Sequence, residues 1–164
     1  MSAPSVASVF ESEPCPRCGG TGKHSYNAVH RDVCYGCRGE GRRLTKRGGA
    51  AWRFYLDSIT TSWGQVRVGD RLRYEDIASS YVVTVVRIEP FTDAKFQGCV
   101  QIGLRRERDG SVFMLNVYQV GSGRVRRVPS ADEAPRLRDA ALAFQASLRK
   151  DGKPRKVRGS GGAR

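Results

Sequence analysis

Cys15-Pro16-Arg17-Cys18-Gly19-Gly20-Thr21-Gly22 and Cys34-Tyr35-Gly36-Cys37-Arg38-Gly39-Glu40-Gly41 both read C-x-x-C-x-G-x-G, with fifteen residues between Cys18 and Cys34. Two C-x-x-C pairs at that separation have the spacing of a four-thiolate metal site. Zinc prefers four tetrahedral ligands, and two thiolates two residues apart can grip one ion from a tight knuckle. Gly20, Gly22, Gly39 and Gly41 suit a chain that turns back under a metal at positive φ, leaving room for amides to approach sulfur. The expectation is one structural Zn2+ held by Cys15, Cys18, Cys34 and Cys37. Its shell would be closed to water and substrate, and binding would contribute folding energy.

Two other uses of these cysteines compete with zinc. Disulfides or a redox pair would suit an oxidising compartment, but Met1 to Pro14 carries Glu11 and Glu13 and has no apolar core of a secretion signal. His24 and His30 lie between the knuckles, so either could replace a cysteine as ligand; solvent-facing loop histidines are the plainer account.

On these repeats the chain resembles the cysteine-rich zinc domain of DnaJ-type co-chaperones, in which C-x-x-C-x-G-x-G recurs four times and pairs of repeats hold two zincs. Two repeats imply half of that domain and one zinc. The resemblance spans Cys15 to about Arg43. A J-domain would carry His-Pro-Asp, which this chain lacks; His30-Arg31-Asp32 is the nearest tripeptide and sits between the knuckles. Chaperone stimulation is therefore not carried over, and the resemblance implies at most the holding of a polypeptide.

Outward from the repeats, 164 residues suit a small module plus a compact domain, and 39% apolar residues permit a modest core. No stretch approaches the roughly 20 apolar residues of a bilayer-crossing helix. Reduced cysteines place the expected location in the cytoplasm. The formal net charge is +13, from 29 Lys and Arg against 16 Asp and Glu, which favours polyanionic partners. Along the chain that charge clusters at two places: eight basic against two acidic residues over 15–48, and seven against one over 149–164. Arg42, Arg43, Lys46 and Arg47 follow the second knuckle directly, and Lys153, Arg155, Lys156 and Arg158 lie in the tail.

The middle of the chain reads as strands. Tyr81–Ile88 is β-branched, Cys99–Leu104 alternates, Val112–Tyr118 ends before a glycine turn, and Asp70–Tyr74 and Arg124–Val128 are shorter candidates. Val68-Gly69-Asp70, Arg108-Asp109-Gly110-Ser111 and Gly121-Ser122-Gly123 supply hairpin-type turns. Cys99, alone in an apolar strand, reads as a buried thiol. Ala50 to Trp63 holds four aromatics; it reads either as a short helix or strand docking the metal module, or as a stacking platform in which Trp52 and Arg53 hold bases. After Pro129, Ser130-Ala131-Asp132-Glu133 is a capping box, and Leu137, Ala141, Phe144 and Leu148 form one helical stripe.

The fold expected is mainly β and α+β overall. It comprises a disordered leader (1–14), a zinc module (15–48), a small antiparallel β-barrel or rolled sheet of about five strands (49–128), an amphipathic helix packing on it (129–150) and a disordered basic tail (151–164). No catalytic constellation stands out. Gly19-Gly20-Thr21-Gly22-Lys23 lacks the Walker spacing, no G-x-S-x-G occurs, and Glu75-Asp76 and Asp132-Glu133 read as loop and cap. The function expected is a non-enzymatic zinc-stabilised binding protein that contacts nucleic acid through Arg42, Arg43, Lys46, Arg47, Trp52, Arg53, Lys153, Arg155, Lys156 and Arg158. The alternative is an adaptor gripping a polypeptide or a host machine through the knuckles or the Leu137 to Leu148 stripe. The Arg- and Gly-rich usage and brevity are compatible with a bacteriophage gene.

Overall fold

The computed structural model describes residues 9–24, 32–75, 80–90, 99–118 and 123–155. It is a mixed α+β protein of mostly strands with two helices. In chain order these are β1 (Ser12–Pro14), β2 (Arg42–Leu44), α1 (Lys46–Ile59), β3 (Thr60–Ser62), β4 (Arg71–Glu75), β5 (Ser80–Pro90), β6 (Cys99–Arg106), β7 (Val112–Tyr118), β8 (Arg124–Arg127) and α2 (Glu133–Ser147). Two compact units divide the chain, Met1–Tyr55 with Leu137–Arg164, and Leu56–Arg136.

In the first unit β1 pairs antiparallel with β2, Glu13 facing Arg43. The leader is thus not wholly disordered: from Val9 onward it is built into the fold. Phe10 is 5% exposed and clusters with Ala51 of α1 and Ala141 of α2, with Trp52, Tyr55 and Leu142 packed around them. Burial of the Phe10 ring, with Val9 packed against the same cluster, removes apolar area from water at about 25 cal/mol per Å2 and favours the strand beside it.

α1 starts at Thr45, whose Oγ1 accepts a hydrogen bond from the Gly48 amide at 3.0 Å, a standard N-cap. Gly48 is required there because a Cβ would lie 2.0 Å from the Glu11 carbonyl oxygen. The segment Ala50 to Ile59 is therefore helical.

α2 is capped as its sequence suggests, the Glu133 amide donating to Ser130 Oγ at 3.1 Å. Within the first unit its buried residue Ala141 joins Phe10 and Ala51, and Phe144 stacks on Phe54 with centroids 4.7 Å apart. A helix follows the apolar surface that complements its stripe, and Phe10, unread in the leader, supplied that surface. The segment beyond α2 is also ordered as far as Arg155: Leu148 is 1% exposed and bridges Pro154.

The second unit is an antiparallel sheet of order β3-β8-β4-β5-β6-β7. It has six strands and, among the described residues, no closed barrel. Closure needs the first and last strands to pair; β3, only three residues long, pairs with β8 instead. Leu72, Val83, Val85, Ile102 and Leu104 are at most 1% exposed and alternate with residues directed to the other face, among them Arg71, Arg73, Thr84 and Arg105. A bulge between Val85 and Arg87 re-phases β5, so that Ile88 returns to the core side opposite Ile102. All five middle strands read from sequence form, Asp70–Tyr74 one residue later than expected. β1, β2 and β3 are too short to show a period. The Gly69 and Gly110 turns form at positive φ, whereas Gly121 and Ser122 lie outside the described residues.

Candidate metal centre

The two repeats fold into near-identical halves related by nineteen positions. Cys15 donates its amide to the Gly41 carbonyl at 2.7 Å, and Cys34 donates its amide to the Gly22 carbonyl at 2.9 Å. Gly22 sends its amide to Cys18 Sγ and Gly41 sends its own to Cys37 Sγ, both at 3.3 Å. The φ angles repeat in step: 59° and 52° at Gly19 and Arg38, 93° and 86° at Gly20 and Gly39, 74° and 73° at Gly22 and Gly41. Glycine is obligatory at Gly22 and Gly41, where a Cβ would lie 2.3 Å from the carbonyl oxygen of Gly39 and of Gly20 respectively. Each repeat thus closes over the backbone of the other.

This crossing brings four sulfurs together, all within 4.8 Å of one another, with Cys15 and Cys34 at 0% exposure and Cys18 and Cys37 at 9% and 7%. The Cys15–Cys34 and Cys18–Cys37 separations are 4.0 and 3.8 Å. Four ligands at 2.3 Å from one ion in a tetrahedron stand about 3.8 Å apart. The cage therefore fits a metal ion. The cysteines are free thiols, not disulfides.

Its electrostatics would suit a cation. Burial opposes ionisation of Cys18, but the Gly22 and Gly20 amides and the Cys37 and Cys15 thiols outweigh it and lower its pKa. Cys37 goes the other way: burial pushes its thiol up, and the Cys34 and Cys18 sulfurs push it further against the Gly41 and Gly39 amides. One thiolate discourages the next, so four cannot ionise together unless a positive ion compensates them. Among the described residues the cage contains cysteines alone: His24 is half-buried, its amide donating to the Asp32 carbonyl, and His30 lies outside the described residues.

The basic residues singled out in the sequence divide. Arg43, Lys46 and Arg53 are exposed. Arg42 is exposed but reaches across to Ser12, donating to its Oγ at 3.0 Å and to its carbonyl at 2.8 Å. Arg47 is tied to the Glu11 carboxylate, with Thr45 Oγ1 donating to the same group at 2.9 Å. The Arg47 guanidinium holds the Glu11 carboxyl below the usual carboxylate range. Trp52 is half-buried in the Phe10 cluster and stacked on Tyr55 at 5.4 Å, so its ring is largely committed to the core. Lys153 and Arg155 are exposed, while Lys156 and Arg158 lie outside the described residues.

Far apart in sequence, the two basic segments meet. A Cβ on Gly152 would lie 3.1 Å from the Lys46 carbonyl oxygen, so the chain just before Lys153 packs on the start of α1. Glu11 is the residue that sequence reasoning missed: it carries Thr45, Arg47 and, through its amide, Gln145 of α2 at 2.9 Å. Its only sequence signal was the Val9-Phe10 apolar pair beside it.

In the second unit, Asp57, Thr60, Thr61, Ser62, Gln65 and Arg124 line an open depression of about 500 Å3. Among the described residues no helix is long and apolar enough to cross a membrane. Fold and site together define a module with a four-cysteine cluster that could hold a metal ion, and an antiparallel sheet. No protein family, curated protein or solved structure matches the chain.

Proposed function

We propose that the protein is a non-enzymatic, zinc-stabilised binding protein that contacts nucleic acid through the basic surface beside its metal centre. Zinc is the ion that four thiolates at tetrahedral spacing select, and its filled shell leaves it a structural role. The observation that carries the reading is the convergence of Lys46 with the segment leading to Lys153 and Arg155. It joins two clusters separated by a hundred residues into one positive surface with exposed Arg43 and Arg53 beside it in sequence.

The start of α1 strengthens this. It has no acidic residue in its first turn but carries Lys46 and Arg47, an arrangement that opposes the helix dipole by about 0.3–1 kcal/mol per charge. Glu11 compensates Arg47, and an incoming phosphate would compensate Lys46. Binding through phosphates should fall steeply with salt. Titration of the full chain with single-stranded and duplex oligonucleotides at two salt concentrations tests the proposal; no binding at low salt, or binding indifferent to salt, defeats it.

One feature favours a second reading, an adaptor holding a polypeptide as the DnaJ-like repeats imply. The second knuckle exposes Val33 and Tyr35, at 44% and 55%, with Arg17 stacked on the Tyr35 ring. The Leu137 to Leu148 stripe lends less, since Ala141 and Leu148 are buried and Phe144 lies against Phe54.

A further inference from the structure

The sheet carries a positive surface of its own. Strand alternation sends Arg71 and Arg73 of β4, Arg105 of β6, and Arg124 and Arg126 of β8 to the face opposite the core, since each flanks a buried Leu72, Leu104 or Val125. The bulge in β5 adds Arg87, whose Cβ would lie 3.1 Å from a Cβ at Gly103 on that same face. Six arginines thus share one side of one sheet.

Three of them are neutralised locally: Arg71 by Glu107, Arg87 by Glu89 and Arg126 by Glu75. Arg73, Arg105 and Arg124 are exposed and have no carboxylate within 4.0 Å among the described residues. Arg73 also stands directly opposite Arg126 in the β4–β8 register. Like charges facing each other across strands oppose folding, and here Glu75 offsets only the Arg126 side of the pair.

The spacing suits a phosphate chain. Arg71 and Arg105 both flank Thr84 in register, two strands apart, and Arg71 and Arg73 are two residues apart on one strand. These separations are about 10 and 7 Å at the backbone. Each guanidinium can take a phosphate in bidentate fashion. Beside Arg105 and Arg87, the same face exposes Val112 and Met114, at 55% and 42%. Apolar side chains among cations offer somewhere for unpaired bases to lie, which a duplex would keep stacked away.

We propose that this arginine face of the sheet binds single-stranded nucleic acid, with Arg73, Arg105 and Arg124 contacting phosphates and Val112 and Met114 contacting bases. The surface belongs to the sheet unit and shares no residue with the surface beside the metal centre.

The test compares the full-length chain, an R73A/R105A/R124A variant, its R73K/R105K/R124K counterpart and an R43A/K46A/R53A variant. Each is titrated with a labelled single-stranded oligonucleotide across a salt series. The alanine sheet variant should bind at least about tenfold more weakly, with the slope of log affinity against log salt reduced by about 2, at roughly 0.7 for each phosphate that is no longer neutralised. Its thermal midpoint should be unchanged, because the three side chains are exposed, and the lysine variant should keep most of the affinity.

Unchanged affinity and slope in the alanine sheet variant overturn the sheet proposal. If the metal-side variant alone is weakened, the sheet proposal falls and the metal-side function stands; the reverse result does the opposite. Equal competition by polyglutamate overturns the sheet proposal in favour of an acidic polypeptide. No binding by the parent chain ends both.

Discussion

The cysteine clasp and the six-stranded sheet are ordered by different physics. In the clasp, backbone hydrogen bonds and four sulfurs hold the repeats, and its buried cluster is the cysteines themselves. In the sheet, Leu72, Ile102 and Leu104 disappear from solvent, and no polar residue is fully buried among the described residues. If the proposed zinc is bound, removing one ligand or the ion should dismantle the clasp, whereas the sheet should yield to loss of apolar volume. On the zinc proposal, the stability of one part depends on metal supply and that of the other does not.

The sharpest way to break the comparison is at the metal. Cys34→Ser, or a strong chelator, should melt the Cys15 to Gly41 clasp, because binding energies of about 10–16 kcal/mol for structural zinc are folding energy in small modules. Signals of the sheet should persist in two-dimensional NMR spectra, with metal content measured alongside. If the clasp stays folded without metal, the distinction collapses. The converse variant, Leu104→Ala, should cost the sheet about 2–5 kcal/mol in denaturant unfolding and leave metal stoichiometry intact.

Next come the paired glycines. Gly22→Ala and Gly41→Ala each place a Cβ 2.3 Å from a carbonyl oxygen of the other repeat at positive φ. Each should destabilise by at least about 2 kcal/mol and lower metal affinity, and the two effects should match. Unequal losses, measured by competition with a chromogenic chelator, would show that the halves are not equivalent.

The smallest effects are electrostatic. Arg47 lowers the pKa of Glu11 in the first unit, and Arg71 lowers that of Glu107 in the second. A carboxyl whose folded pKa is depressed contributes its stability above its unfolded value, here near 4.5, and loses it as pH falls through the folded value. Both pairs are partly exposed, so Glu11→Gln and Glu107→Gln should each cost about 0.2–1 kcal/mol at pH 7. The cost should vanish in thermal melts on the acid side of the depressed value.

The clasp was almost wholly legible in the sequence, because a metal site is written in local spacing: four cysteines and four glycines at fixed offsets leave few geometries. The longer strands were legible from their period. What escaped was non-local. Phe10 and Glu11 act through partners more than thirty residues away, and α2 chose its surface by that contact. The arginines escaped for a different reason. Counted along the chain, the middle segment is only mildly basic and its charges look diluted. Alternation then sorts them, sending Arg71, Arg73, Arg105, Arg124 and Arg126 one way and the apolar residues the other, so a weak linear signal becomes a concentrated face.

The Lys23–Val33 bridge closes the chain just below the metal cage, before the repeats cross. The two repeats are therefore tied to each other at Lys23 and Val33, and lengthening the sequence between those positions costs only the slowly growing entropy of loop closure. A reporter peptide inserted between Lys23 and Val33 should therefore leave the four sulfurs together, as metal stoichiometry would show.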